Sequence, residues 1–293
     1  MQNFLPVLAL LCNALIWGLS WWPFRQMHQA GLHPVWATAL MYLLLSSALV
    51  LLRPALWRQL CASRALWLLG LLAGLTNVSF NWAVTIGDVV RVILLFYLMP
   101  AWSVLLAWRV LGERPTPQAL ARLGLAFAGV LLVLWPHEGG AARLAAGLGL
   151  ADLLAIWGGL MFAATNVTLR RLHAEPGPVR MLAMFGGCMS MALLAACAAS
   201  VWGQVPGVPA PAAAWLLPGL GLAALLVLSN WALQFGAARL AAGTTSIIML
   251  SEIVFASGSS VLLGAAQLTG QTLAGGALIM LAAVWSAWRG AAG

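Results

Sequence analysis

Apolar runs about twenty residues long follow one another almost without pause along this 293-residue chain. A helix of about 20 residues crosses the roughly 30 Å of hydrocarbon in a bilayer. Cutting the sequence at charges, prolines and turn residues gives ten such segments: about 4–22, 34–52, 65–86, 91–110, 117–136, 147–169, 179–202, 213–236, 241–263 and 270–288. With 63% hydrophobic and 7% charged residues, no soluble fold could cover the apolar side chains. The sequence therefore predicts an all-α membrane protein of ten transmembrane helices. The opening stretch, MQNFLPVLALLCNALIWGLSWWPF, has no basic start and no A-x-A-like cleavage site, so it is expected to remain as the first span.

All fourteen basic residues are arginines, and they cluster at the ends of the apolar runs. With a cytoplasmic N-terminus, eleven fall in inner loops (Arg53, Arg58, Arg64, Arg109, Arg114, Arg122, Arg170, Arg171, Arg180, Arg239 and Arg289). Three, Arg25, Arg91 and Arg143, fall outside. This positive-inside bias predicts that both termini are cytoplasmic, and it accounts for the net charge of +8 without a nucleic-acid partner. Cys12, Cys61, Cys188 and Cys197 form no C-x-x-C pair, and His28, His33, His137 and His173 are dispersed near loops. No metal, cofactor or disulfide framework is expected.

Two short motifs recur in the same order. IWG stands at 16–18 and again at 156–158; NWAVTIG at 81–87 is echoed by NWALQFG at 230–236. The chain therefore divides into two five-span repeats, residues 1–140 and 141–293. Five is odd, so the second copy enters the membrane from the opposite side. Inverted repeats of this kind mark secondary transporters, whose solute sites lie near the midplane between the halves.

The fourth span, RVILLFYLMPAWSVLLAWRVLGERPT, is the most marked. From Arg91 to Glu113 is 22 steps, about 33 Å at helical rise, so its charges bracket one membrane thickness. Pro100 falls near the middle and predicts a kink; GERPT is a stop signal. The second copy, SIIMLSEIVFASGSSVLLGAAQLTG, sets Glu252 opposite Met99 and Ile253 opposite Pro100.

The IWG of span one, the Y-x-x-P of span four followed by LGER, and the five-plus-five layout resemble the EamA-type drug/metabolite transporter superfamily, over essentially the whole chain. That resemblance implies a ten-helix bundle with a central cavity lined mainly by spans one to four and six to nine, spans five and ten being peripheral. It also implies export of small organic metabolites, amino acids included, across a bacterial cytoplasmic membrane. IWGGLMFAATN at 156–166 is similar to span six of the bacterial aromatic amino acid exporters. The chain departs from the family at LGAAQ (263–267), where a second LGE often stands, and at Ile253, which replaces a second proline.

Glu252 is the sharpest candidate residue. A carboxylate near the midplane costs several kcal/mol unless paired, neutralised or hydrated. It could couple protons, meet a solute amine, or bond between helices. Arg91 either pairs with Asp88 three residues earlier or turns inward to bind a carboxylate. Asp152 suits the N-terminus of span six. Trp17, Trp157, Tyr97 and Trp102 are candidate cavity walls, whereas Trp21, Trp22, Trp36, Trp57 and Trp288 read as interfacial belts. Asn13, Asn77, Asn81, Asn166, Asn230 and Gln234 serve either as interhelical bonds or as ligands. Gly70–Gly74 and span seven read as close-packed faces.

The chain is thus expected to act as a secondary carrier, exporting a small organic solute by alternating access, driven by the solute gradient or by protons, as a monomer or weak homodimer. A facilitative carrier is the nearest alternative. An enzyme would need converging acid, base or metal ligands, and a channel would need a pore-lining ring; neither pattern is visible.

Overall fold

The computed structural model describes residues 4–87, 89–135, 148–203, 205–264 and 269–290. Asp88, His137, Arg143 and most of the LGAAQ stretch, all named above, lie outside the described residues. Over the described residues the chain is helical with no strand: α1 Phe4–Leu19, α2 Trp21–Gln29, α3 Pro34–Leu52, α4 Ala55–Ala62, α5 Arg64–Ile86, α6 Val89–Phe96 and α7 Met99–Leu106. There follow α8 Pro117–Leu134, α9 Leu150–Arg171, α10 Gly177–Val201, α11 Ala213–Ala237, α12 Ala242–Met249, α13 Ser251–Leu262 and α14 Gly270–Gly290.

Eight rods built from these helices are long and apolar enough to cross a membrane: Phe4–Gln29, Pro34–Leu52, Arg64–Val84, Arg91–Leu111, Leu150–Arg171, Gly177–Val201, Ala213–Ala237 and Ala242–Leu262. The two remaining segments of the expected ten form shorter apolar stretches, Pro117–Val133 and Gly270–Ser286. The first rod runs seven residues beyond the expected end at Trp22. It bends at Ser20, whose amide and hydroxyl both bond the Trp17 carbonyl (3.1 and 2.7 Å). The short helix α4 is new relative to the sequence expectation; it presents Leu56 and Leu60 inward and leaves the rest of its surface exposed.

Two rods are interrupted: the fourth, Arg91–Leu111, and the last, Ala242–Leu262, which is called the ninth rod because it is the ninth of the ten expected spans. In the fourth, the Leu98 amide bonds the Leu95 carbonyl, three residues back instead of four, just ahead of Pro100. In the ninth, Leu250 does the same with Ile247, and no proline is present. There Ser251 Oγ donates to the Ile248 carbonyl at 2.7 Å, occupying an acceptor in the turn that is broken. The fourth rod ends in one π-helical turn, Ala107–Leu111, and stops at Gly112, whose φ of +72° only glycine adopts readily. Thr116 then caps α8, its hydroxyl accepting from the Ala119 amide at 3.1 Å, with Pro117 at the first helical position.

Two ion pairs fix relative direction. Arg91, at the start of the fourth rod, bonds Asp152 at the start of α9 (2.7 Å); Glu113, just past the other end, bonds Arg170 at the end of α9 (2.5 Å). The fourth rod and α9 therefore run parallel, and the segment between them has to carry the chain back along the bundle. Helix α8 does so, covering about 27 Å at helical rise. α14 lies antiparallel against it: Gln271 Nε2 bonds the Leu132 and Trp135 carbonyls (2.7 and 3.0 Å), and Gly129 backs onto Gly275. By the same kind of contact the first rod lies parallel to the ninth, Asn13 of α1 meeting Met249 and Trp21 of α2 meeting Ser259.

Small residues set the closest approaches. A methyl group at Gly18 would stand 2.9 Å from the Glu252 carbonyl oxygen, and one at Gly159 would stand 2.5 Å from the Phe96 carbonyl oxygen. So the glycines in and beside the two IWG motifs allow α1 and α9 to press against the interrupted parts of the ninth and fourth rods. Gly70 and Gly187 do the same between α5 and α10, where a side chain on Gly187 would overlap the Gly70 carbonyl.

Candidate functional site

All eight long rods converge on one cavity of about 160 Å³. α1 contributes Asn13 and Trp17, α3 Tyr42, and α5 Thr76, Asn77 and Phe80. Phe96, Tyr97 and Met99 come from the fourth rod; Phe162 and Thr165 come from α9. Met184 and Phe185 on α10, Ser229 and Asn230 on α11, and Met249 and Glu252 from the ninth rod complete the wall. No lining residue belongs to α8 or α14.

The interruptions are what bring the fourth and ninth rods into the wall. At each break the hydrogen bonding tightens to three-residue spacing, and Tyr97 and Met99, and likewise Met249 and Glu252, line the cavity on either side of the altered turn. Deeper still, Ser103 and Ser246, one on each rod, meet at 2.5 Å in full burial.

Aromatic rings dominate the surface. Phe80 and Phe96 lie 4.7 Å apart between centroids, Phe96 and Phe162 6.0 Å, and Tyr42 and Phe185 5.5 Å. These spacings suit tilted and edge-to-face packing, and the faces they leave open favour planar apolar groups. The polar groups are few and mostly engaged. Asn13 Oδ1 accepts from Ser229 Oγ (2.6 Å), and its Nδ2 donates to the Met249 sulfur (3.1 Å). Asn230 Oδ1 accepts from Gln234 Nε2 (2.5 Å), and its Nδ2 donates to the Met184 sulfur (3.4 Å). Thr165 bonds the Met161 carbonyl of its own helix, and Thr76 bonds that of Leu72. Among the described residues Glu252 is the one carboxyl group on the wall. Among the described residues it is engaged in no ion pair, and Tyr97 lies within electrostatic range of it.

Of the twelve residues singled out from the sequence, six line this cavity: Asn13, Trp17, Asn77, Tyr97, Asn230 and Glu252. Gln234 sits one turn behind Asn230 as its hydrogen-bond donor. Asn81 donates to Asn77 at 3.0 Å and borders a smaller crevice beside Val35 and Trp82. Arg91 is held by Asp152, whose other oxygen accepts the Gly149 amide at 2.8 Å, so the acid both caps α9 and pairs across helices. Trp157 does not reach the cavity; it is 47% exposed on the outer surface of the bundle, although its repeat-mate Trp17 lines the wall. Trp102 Nε1 and both amide atoms of Asn166 are buried behind the wall without a partner among the described residues.

The sequence expectation did not include Tyr42, Thr76, Phe80, Phe96, Phe162, Thr165, Met184, Phe185 or Ser229. Each sits on a helix that is apolar all round, where periodicity cannot separate an inward ring from a lipid-facing one. The hydroxyl residues were findable: Thr165 and Ser229 interrupt long apolar stretches just as the asparagines do.

Comparison with known proteins agrees with this architecture. Residues 4–135, a little under half of the chain, match the model of the EamA-like transporter family, of the drug/metabolite transporter superfamily. With eight helices long and apolar enough to cross a membrane, the chain is a multi-pass membrane protein, and the match is to a family of transporters. A solved crystal structure, described only as that of a protein, resembles it with a TM-score of 0.76 over 97% of each chain at 22% identity, which is a likeness of fold. No curated protein matches the chain significantly.

Proposed function

We propose that the chain is a secondary carrier that exports a small organic solute, of the size and shape of an aromatic or aliphatic amino acid, across a bacterial cytoplasmic membrane by alternating access. The observation that carries this reading is the cavity itself: one compartment, reached by side chains from all eight long rods and walled by aromatic rings, with one carboxyl group. A ligand there touches both repeats at once, so a rocking of one against the other would move access from one membrane face to the other.

Ten crossings, with α8 and α14 as spans five and ten, are part of this reading; the parallel fourth rod and α9 and the antiparallel pairing of α8 with α14 support it. The two units are residues 1–140 and 141–293, mutually inverted. Their equivalence is supported by the paired IWG motifs, each beside a glycine packed on an interrupted rod. Both termini then lie on the face that carries most of the arginines, the cytoplasmic one.

Glu252 serves as the coupling group, exchanging its proton as the cavity opens to either side, or as the counter-charge for a solute amine. Solute counterflow in liposomes is the test. Trans-stimulation of labelled solute entry supports a carrier; conductance without trans-stimulation supports a channel and ends the proposal.

A further inference from the structure

Arg180 stands in the first turn of α10 with 7% of its surface exposed, and its Nε and Nη1 are buried with no hydrogen-bond partner among the described residues. No ion pair to it is present among them either. The charges nearest to it are Arg239, which repels it, and Glu175, which attracts it without bonding. Arg239 is itself turned away, over the Phe235 ring at 3.8 Å and onto the Phe235 carbonyl. A cation in the first turn of a helix also faces the positive end of the helix dipole. Burial, missing counter-charge and dipole all act against the guanidinium, and all three are relieved by an anion.

Its surroundings lead to the cavity. Residues 177, 180 and 184 share one face of α10. Gly177 lies beside Gln234 Oε1, and Met184 receives the Asn230 amide. Arg180 therefore stands between those two contacts, facing α11, one helical turn from Met184 on the cavity wall. Gln234 Oε1 is another buried atom without a partner, while its Nε2 holds Asn230, which lines the cavity. A polar track thus runs from the arginine-bearing end of the bundle to the central compartment.

We propose that Arg180 is an oxyanion-binding station that selects carboxylate-bearing solutes at the arginine-bearing mouth of the cavity. The planar guanidinium offers two parallel N–H groups, the geometry a carboxylate takes in a bidentate pair. The sequence offered Arg91 for this task as one of two readings, the other being an ion pair, and Arg91 is held by Asp152. The inference rests on the carrier reading above and narrows its substrate class.

The test uses tryptophan fluorescence of the full-length protein in phosphatidylcholine vesicles, titrated with phenylacetate and with its uncharged isostere phenylacetamide. Wild-type protein is expected to bind phenylacetate about tenfold more tightly, the worth of a charge-assisted hydrogen bond. Arg180→Gln is expected to abolish that preference, and Arg180→Lys to keep part of it. Equal responses to the two probes in wild-type protein, including none to either, overturn the assignment, as does an undiminished preference in a folded Arg180→Gln. A response to added phosphatidylglycerol but not to phenylacetate would assign the oxyanion to lipid and likewise overturn it. Counterflow of solutes in general is untouched by these outcomes, so the carrier reading stands or falls separately.

Discussion

Leu98 and Leu250 occupy the same place in two interrupted helices. Each amide reaches back three residues, to Leu95 at 3.3 Å and to Ile247 at 3.1 Å, and each carbonyl accepts from three residues ahead, Ala101 at 3.0 Å and Ile253 at 3.1 Å. Two residues on stands Pro100 in one break and Glu252 in the other, so the breaks align one residue away from the sequence register that set Glu252 opposite Met99. The break is therefore a property of the packing around both rods, with Pro100 accommodating it in the fourth and the Ser251 hydroxyl in the ninth.

It follows that Pro100→Ala keeps the interruption and changes stability by less than about 1 kcal/mol, since the tertiary contacts hold the turn. Ser251→Ala strands the local hydroxyl contact and costs about 1 kcal/mol. Thermal unfolding of the purified variants in detergent distinguishes these; a larger loss for Pro100→Ala than for Ser251→Ala would contradict the ranking.

Among the described glycines Gly187 has the least room for a side chain, packed against the Gly70 carbonyl, whereas Gly186 next to it has open space where a side chain would go. Gly187→Ala is expected to destabilise by about 1–3 kcal/mol or to prevent folding, through overpacking that backbone cannot relieve. Gly186→Ala is expected to be neutral. The ratio of folded to aggregated protein after solubilisation reads both.

Arg91→Gln leaves Asp152 with its cap to Gly149 but without its cation. A destabilisation of about 1–3 kcal/mol is expected, and a double-mutant cycle with Asp152→Asn should recover most of it as coupling. Transport should fall evenly across acidic, zwitterionic and neutral solutes. Selective loss of acidic solutes would instead give Arg91 a ligand role.

Glu252→Gln keeps the volume of the side chain and removes its titration. Flux through the variant is expected to show no dependence on pH while insertion and folding are retained. A pH profile like that of the wild type would end the coupling role of this carboxyl group.

The helical membrane architecture was legible because its causes are one-dimensional: apolar run length and the GERPT stop lie along the sequence. Glu252, Asn13 and Asn230 stood out for a similar reason, as polar groups in long apolar stretches. Long-range pairing was not legible. Arg91 bonds Asp152, 61 residues away, a contact that nothing along the sequence pointed to. Glu113 looked like part of a stop signal and also ties the fourth rod to α9 through Arg170. Trp17 and Trp157 match in the repeat but not in environment. Gly158 and Gly159 turn their face of α9 toward Phe96, and Trp157 is left on the outer side.

The account depends on two inverted five-helix units, and cysteine labelling from each face tests it most directly. In a protein with Cys12, Cys61, Cys188 and Cys197 replaced, single cysteines at Arg114 and Glu175, and tags at both termini, are expected to react from the cytoplasmic face. Cysteines at Gly31 and Gly207 are expected to react only from the opposite face. Labelling of the two termini from different faces, or of Arg114 and Glu175 from different faces, would contradict it.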